Sequence, residues 1–95
     1  MKDQVMIVTG AAMGLGLAAA KVLAARGAAG ALGDYNADAL KTAQAELAAE
    51  CPQAKTITVT ADVSDEAAVK RYVDATVEAF GRVDGLYNNA GIEGR

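Results

Sequence analysis

The residues best suited to chemistry are three glycines that follow the first apolar segment. Gly10, Gly14 and Gly16 lie between the apolar run 5–8 and a helix-forming stretch. The first amides of a helix have no partner inside the helix and lie at the positive end of its dipole, so a turn of this kind can hold a phosphate. Glycine also lets the backbone approach a diphosphate closely. A tightly packed turn without a ligand fits the same pattern, and the turn alone leaves both interpretations open.

A carboxylate stands at the distance at which it would meet a nucleotide ribose. Asp34 follows Gly16 by eighteen positions, close to the offset of about twenty residues at which an acidic residue binds the adenosine ribose in dinucleotide-binding folds. Its oxygens can accept hydrogen bonds from ribose hydroxyls and would repel a 2′-phosphate. Neither Met13 nor Tyr35 supplies a positive charge. The sequence therefore predicts NAD in preference to NADP.

Two further polar segments follow the later apolar runs. Asp62 and Val63 come after the third run, and residues 88–91 come after the fourth. These positions and Asp34 also have simpler explanations. Asp34 suits a solvated turn, Asp62 can precede a helix cap at Ser64, and adjacent asparagines suit a turn. The four loops together favour a nucleotide site more strongly than any one of them does.

The elements that would position these residues alternate strictly between strand and helix. The strand at 28–33 has poor strand propensity because it is rich in glycine and alanine. Asn36 and Ser64 are expected to cap helices, and Gly27 and Gly81 to end them. Right-handed crossovers then give a doubly wound parallel α/β sheet of strand order 3-2-1-4, with the polar loops at its carboxyl edge. The predicted strands are 5–8, 28–33, 56–60 and 83–88, and the predicted helices are 15–26, 37–50 and 65–80.

Composition excludes several other classes of protein. The chain has 95 residues, a net charge of −3 and no histidine, so it lacks the basic face of a nucleic-acid-binding protein. Cys51 is the single cysteine, which excludes an intramolecular disulfide and argues against a zinc or other metal site. The N-terminal apolar run is too short for a signal peptide or a membrane span. We expect a cytoplasmic protein with no nucleic-acid or membrane partner.

Three motifs together resemble the N-terminal part of the short-chain dehydrogenase/reductase family. Its glycine pattern T-G-x-x-x-G-x-G is present as Thr9-Gly10, Gly14 and Gly16, its N-N-A-G motif spans 88–91, and Asp62-Val63 matches its adenine-contacting pair. The resemblance covers essentially the whole chain. It implies a partial Rossmann-type fold of order βαβαβαβ, in which residues 1–95 are the dinucleotide-binding part of a larger domain. The alanine- and glycine-rich second strand departs from the family's usual Val/Ile-rich pattern.

The resemblance also assigns cofactor-binding roles. It implies that 10–16 hold the diphosphate, Asp34 the adenine ribose, Asp62 and Val63 the adenine, and 89–91 the adenosine side of the cleft. Asn88 would instead tie the fourth strand to its neighbours. The expected cofactor-binding residues are Gly10, Ala12, Met13, Gly14, Leu15, Gly16, Asp34, Tyr35, Asp62, Val63, Asn89, Ala90 and Gly91.

The family's catalytic Tyr-x-x-x-Lys motif is not present at any tyrosine of the chain. The residues four positions after Tyr35, Tyr72 and Tyr87 are alanine, threonine and glycine. No catalytic residue is therefore expected here, and the chain alone is expected to be inactive. The complete protein would be an NAD-dependent oxidoreductase that interconverts an alcohol and a ketone, with a small-molecule substrate and a homo-oligomeric assembly.

Two alternatives remain beside this interpretation. The chain could be a non-enzymatic nucleotide-binding or interaction module that pairs with a partner through its open fourth strand. A phosphate-hydrolysing P-loop fits poorly, because Leu17 follows Gly16 where that motif requires lysine.

Overall fold

The computed structural model describes residues 4–12, 14–61 and 66–88. Within them, strands and helices alternate as predicted. The strands are β1 (Val5–Thr9), β2 (Ala29–Asp34), β3 (Thr56–Thr60) and β4 (Gly85–Asn88), and the helices are α1 (Gly14–Ala25), α2 (Ala37–Glu50) and α3 (Glu66–Phe80).

The strands form one parallel sheet of order β3-β2-β1-β4, which confirms the predicted order. Thr9 lies opposite Gly33 on one side and Asn88 on the other, and Asp34 lies opposite Thr60. The carboxyl ends of the strands therefore meet at one edge. β1 and β2 each have a neighbouring strand on both sides, which explains their burial.

Successive residues of the central strands face opposite sides of the sheet, and each side has its own core. Val8 and Leu32 pack with Leu40 and Leu47 beneath α1 and α2. Ile7 and Ala31 pack instead with α3, in the cluster that contains Val59, Ala68 and Tyr72. Helices thus cover both faces, as the doubly wound architecture requires.

The predicted helix signals are confirmed where the structure describes them. The Asn36 side chain accepts a hydrogen bond from the Ala39 N–H at 3.0 Å and so caps α2. After α1, the Ala28 N–H donates to the Leu23 carbonyl at 3.1 Å, and the Gly81 N–H donates to Val77 at 2.7 Å after α3. The predicted cap at Ser64 lies outside the described residues.

The inner face of α1 differs from the stripe that its larger side chains predict. Leu15 and Val22 are 63% and 53% exposed, whereas Gly16 and Ala20 are buried. The helix is apolar on nearly every side, so its sequence contains no polar face to identify the outer surface. Small residues lie inward because they allow α1 to approach the sheet closely. The apolar residues of α3 are likewise only partly buried, since Val69 and Val77 remain about half exposed.

The weak strand propensity of β2 has a steric explanation. A Cβ at Gly33 would lie 2.6 Å from Cε1 of Tyr72, and a Cβ at Gly30 would lie 3.2 Å from the Met6 carbonyl oxygen. The strand therefore consists of small residues because its neighbours leave no space for larger ones. Burial between two helical layers, rather than intrinsic propensity, stabilises it.

Candidate functional site

The turn after β1 has the backbone conformation that glycine permits. Gly10 has φ +64° and Gly14, at the start of α1, has φ +63°. A side chain is strained in this left-handed region, so the glycines at these positions are structurally required. The Ala11 N–H donates to the Gly33 carbonyl at 3.0 Å. The glycine turn is thereby joined to the end of β2, at the edge where the strands terminate.

Asp34 lies directly beside this turn. Its side chain is largely buried, with the residue 9% exposed, and Oδ2 accepts a hydrogen bond from the Ala12 N–H at 3.2 Å. Oδ1 accepts from the Tyr35 N–H at 2.7 Å and more weakly from the Asn36 N–H at 3.4 Å. Each carboxylate oxygen has about two acceptor positions, so Oδ2 retains capacity for a ligand hydroxyl.

A hydrogen bond to the backbone of Asp34 joins the ends of β2 and β3. The Ala61 N–H donates to the Asp34 carbonyl at 3.0 Å, and the Ala61 carbonyl accepts from the buried Tyr72 hydroxyl at 3.0 Å. Tyr72 is not among the site residues predicted from the sequence. The signal that points to it is chemical, because a tyrosine on the buried face of a helix needs a partner for its hydroxyl.

The structure brings one group of the predicted site residues together. Gly10, Ala12, Gly14, Gly16 and Asp34 lie at the junction of β1, α1 and β2. Tyr35 follows at the rim and is 76% exposed, and Leu15 in the first turn of α1 is also exposed. The remaining predicted positions lie outside the described residues: Met13, Asp62, Val63, Asn89, Ala90 and Gly91.

The glycine turn is also connected to the opposite neighbour of β1. Thr9, which is buried, directs its hydroxyl toward the Tyr87 carbonyl of β4 at 3.4 Å, and its backbone pairs with Asn88. In the sheet, β2 and β3 lie on one side of β1, and β4 lies on the other. The order in which the chain adds strands therefore reverses at β1. A ligand site is expected in the crevice at this switch point.

Charged groups at the other end of the sheet serve the fold. The Asp84 carboxylate accepts from the Val5 N–H at 2.7 Å and pairs with Arg82 at 2.6 Å. The hydrogen bond from Arg82, together with that from Val5, lowers the pKa of Asp84 below its ordinary value of 3.8. Among the described residues, Asp34 forms no ion pair.

Two other kinds of site are absent from the part of the chain that the structure describes. No cluster of three or more His, Cys, Asp or Glu residues able to hold a metal ion occurs in this part of the chain. No helix there has the length and apolar character needed to cross a membrane.

A parallel sheet of this order, with helices on both faces and a glycine turn at the switch point, defines a Rossmann-type α/β fold. The chain belongs to the short-chain dehydrogenase family, whose family model matches residues 4–95. This finding confirms the family predicted from the three motifs.

Among its relatives, the chain is 50% identical to levodione reductase of Leifsonia aquatica over 93 residues, which are 98% of this chain and 35% of that protein. The crystal structure of levodione reductase superposes with a TM-score of 0.86 at 45% identity, covering 90% of this chain and 33% of the other. The chain therefore spans about a third of the length of the relatives it matches.

Two further solved structures are similar. NAD⁺-bound xylitol dehydrogenase has a TM-score of 0.81 at 39% identity, covering 90% of this chain and 32% of its own. An NADPH-dependent reductase involved in bacilysin biosynthesis has a TM-score of 0.83 at 26% identity, covering 90% and 35%. The relatives thus include proteins described with either nicotinamide cofactor.

Proposed function

We propose that the chain is the cofactor-binding part of an NAD-preferring oxidoreductase that interconverts an alcohol and a ketone in its complete form. The observation that carries this proposal is the hydrogen bond from the Ala12 N–H to Asp34 Oδ2. It holds a carboxylate next to the glycine turn on which, in this proposal, the diphosphate lies. Similarity to a reductase and to an NAD⁺-bound dehydrogenase supports the same class of reaction.

The residues present fit the adenosine half of such a cofactor. Gly10 and Gly14 have positive φ values and, as glycines, carry no side chain. The phosphates could therefore approach the backbone closely at these two positions. Oδ2 of Asp34 is available for a ribose hydroxyl. The roles of Asp62, Val63 and residues 89–91 in holding the adenine and adenosine are part of this proposal, as are those of Met13, Leu15 and Tyr35.

The preference for NAD depends on the negative charge of Asp34. A hydrogen bond from a ribose hydroxyl to a carboxylate is worth about 1.5–3 kcal/mol. A 2′-phosphate at about 4 Å would instead meet repulsion of order 1–4 kcal/mol. No described residue pairs a positive charge with Asp34. Since the relatives include NAD- and NADPH-linked proteins, the proposal depends on this carboxylate and not on the similarity.

The chemistry of the complete protein would be divided between cofactor and protein. A bound nicotinamide cofactor accepts or supplies the hydride, while the protein orients the reactants and moves the proton. The chain contains no Tyr-x-x-x-Lys, so its part is to bind the cofactor and fix its orientation. We propose that the catalytic residues and the alcohol or ketone pocket belong to the rest of the domain. A homo-oligomeric assembly of the complete protein stays a prediction.

The test is calorimetric titration of the chain with NAD⁺ and with NADP⁺ at the same ionic strength. The proposal expects measurable binding of NAD⁺ and weaker binding of NADP⁺ by about tenfold or more, because the hydrogen bond to Asp34 alone is worth about that factor and the repulsion of a 2′-phosphate adds to it. Tighter binding of NADP⁺ would overturn the cofactor preference. Dehydrogenase activity in the purified chain would contradict its assignment as a binding part only.

A non-enzymatic interaction module is the second candidate. Leu86 and Tyr87 on β4 are 45% and 38% exposed, and in the described sheet β4 pairs with β1 alone. An edge strand with exposed apolar residues favours association. Sequence that continues after residue 95 into a Tyr-x-x-x-Lys motif would support the oxidoreductase, and a stop codon there would support the module.

A further inference from the structure

Tyr72 on α3 contacts the carboxyl ends of two neighbouring strands. It is 1% exposed, and its hydroxyl donates to the Ala61 carbonyl, just after β3, at 3.0 Å. Its ring lies against Gly33 of β2, where an added Cβ would be 2.6 Å from Cε1 and 2.8 Å from Cζ. One side chain therefore holds both strand ends from the α3 side of the sheet.

These two strand ends carry the candidate site. Gly33 immediately precedes Asp34, and Ala61 immediately precedes Asp62. The Ala61 N–H donates to the Asp34 carbonyl at 3.0 Å, and the Asp34 carboxylate accepts from Ala12 in the glycine turn. Contacts thus run without interruption from the Tyr72 hydroxyl to the turn proposed to hold the diphosphate.

We propose that Tyr72 is a positioning residue for the nucleotide site, an inference that rests on the proposed function. It touches no ligand, and it acts by holding the end of β3 against β2 so that the Asp34 backbone stays in one place. Without the hydroxyl, the Ala61 carbonyl would lose a buried partner and the strand ends would separate more often. A site that is correctly arranged for only part of the time binds more weakly in proportion to that fraction.

The test compares Tyr72→Phe with Thr76→Val. Thr76 is fully buried one turn along the same helix, and its hydroxyl donates to the Tyr72 carbonyl at 2.6 Å. Both substitutions remove a buried hydroxyl with little change in shape, but only the first removes a bond to a strand end. The probe is ADP-ribose, titrated calorimetrically at a temperature at which circular dichroism shows both variants folded.

We expect Tyr72→Phe to weaken ADP-ribose binding by more than about twofold and by at most about tenfold, since the loss of one neutral hydrogen bond can lower the fraction of correctly arranged sites by no more than that, and Thr76→Val to leave it within about twofold of the wild type. Unchanged affinity in Tyr72→Phe overturns the proposal, and so does an equal loss in both variants. Failure of the wild type to bind ADP-ribose refutes the proposed function instead, and the exchange measurement below still decides the role of Tyr72.

Amide hydrogen exchange supplies a readout that general destabilisation would not reproduce. The Ala61 N–H bonds to Asp34 at the carboxyl end of the β2–β3 pair, and the Gly30 N–H bonds to the Lys55 carbonyl at its amino end, both at 3.0 Å. Tyr72→Phe should accelerate exchange at Ala61 and leave Gly30 unchanged. Equal acceleration at both ends, or none at Ala61, overturns the proposal.

Gly33→Ala tests the same contact if Tyr72→Phe does not fold. The added methyl group would displace the Tyr72 ring while leaving its hydroxyl in the chain. The proposal expects this variant also to exchange faster at Ala61 than at Gly30 and to bind ADP-ribose more weakly. Wild-type exchange and affinity in Gly33→Ala would overturn it.

Discussion

The carboxylate of Asp34 accepts a hydrogen bond from the backbone N–H of Ala12 at 3.2 Å, across twenty-two positions of sequence. This bond connects the end of β2 to the turn that follows β1. It places the negative charge of the candidate site next to the glycine backbone on which the proposed diphosphate would lie.

Removing the charge of Asp34 should reduce discrimination between the two nicotinamide cofactors. In Asp34→Asn, we expect NAD⁺ binding to fall by about tenfold, through loss of a charge-assisted hydrogen bond, and NADP⁺ binding to fall less or to improve as the repulsion disappears. Calorimetry with both cofactors gives the ratio. The control is Asp38→Asn, which makes the same charge change at an exposed position of α2. An unchanged ratio in Asp34→Asn would contradict the assignment.

Adding a side chain at Gly10 should impair the turn. Because Gly10 has φ +64°, Gly10→Ala is expected to lower the free energy of unfolding by about 1–2 kcal/mol and to weaken NAD⁺ binding. The control is Gly81→Ala, which has φ +83° and open space around its Cβ far from the site. Denaturant unfolding and calorimetry should show destabilisation in both variants and loss of affinity in Gly10→Ala only.

The stability of the fold should depend on Asp84 in a pH-dependent manner. Hydrogen bonds from Arg82 and Val5 lower the pKa of Asp84 below 3.8, so the folded state favours the ionised form. This contribution is fully present above the unfolded-state pKa and disappears as the pH falls through the folded-state value. Asp84→Asn should therefore lower the melting temperature at pH 7, and its difference from the wild type should shrink as the pH is lowered past 3.8.

The matched variant for this pH series is Asp38→Asn, because Asp38 is exposed on α2. It makes the same change of charge and leaves both hydrogen bonds of Asp84 in place, so it should retain the pH dependence of stability that Asp84 contributes and that Asp84→Asn loses. A difference between Asp84→Asn and the wild type that stayed constant with pH would disprove a stabilising role for the ionised Asp84.

Substitutions in α1 and α2 should show which faces contact the sheet. Leu47 of α2 is 1% exposed and Val22 of α1 is 53% exposed. Leu47→Ala is expected to cost about 2–5 kcal/mol of unfolding free energy, whereas Val22→Ala should cost less than about 0.5 kcal/mol. Urea unfolding monitored by circular dichroism measures both, and a loss at Val22 comparable to that at Leu47 would contradict the observed orientation of α1.

Most of the fold was predictable from local patterns. The β-branched residues of β3, the cap at Asn36 and the glycines after α1 and α3 each specify their element by contacts within a few residues, and the structure confirms them. Gly10 and Asp34 were singled out by residue type and spacing, and the structure joins the end of β2 to the glycine turn through the bond from the Ala12 N–H to Asp34. Where strands begin was less predictable, since β4 starts at Gly85 and not at Val83.

By itself, the sequence determined the order of elements, the glycine turn and the presence of Asp34 at a strand end, because spacing and residue type are local properties. The tertiary structure decided which side of α1 meets the sheet, why β2 consists of small residues, and which side chain holds the strand ends together. The last two features depend on Tyr72 contacting both Gly33 and Ala61 in the assembled fold. No local pattern predicts these contacts, because close packing arises only when the elements are assembled.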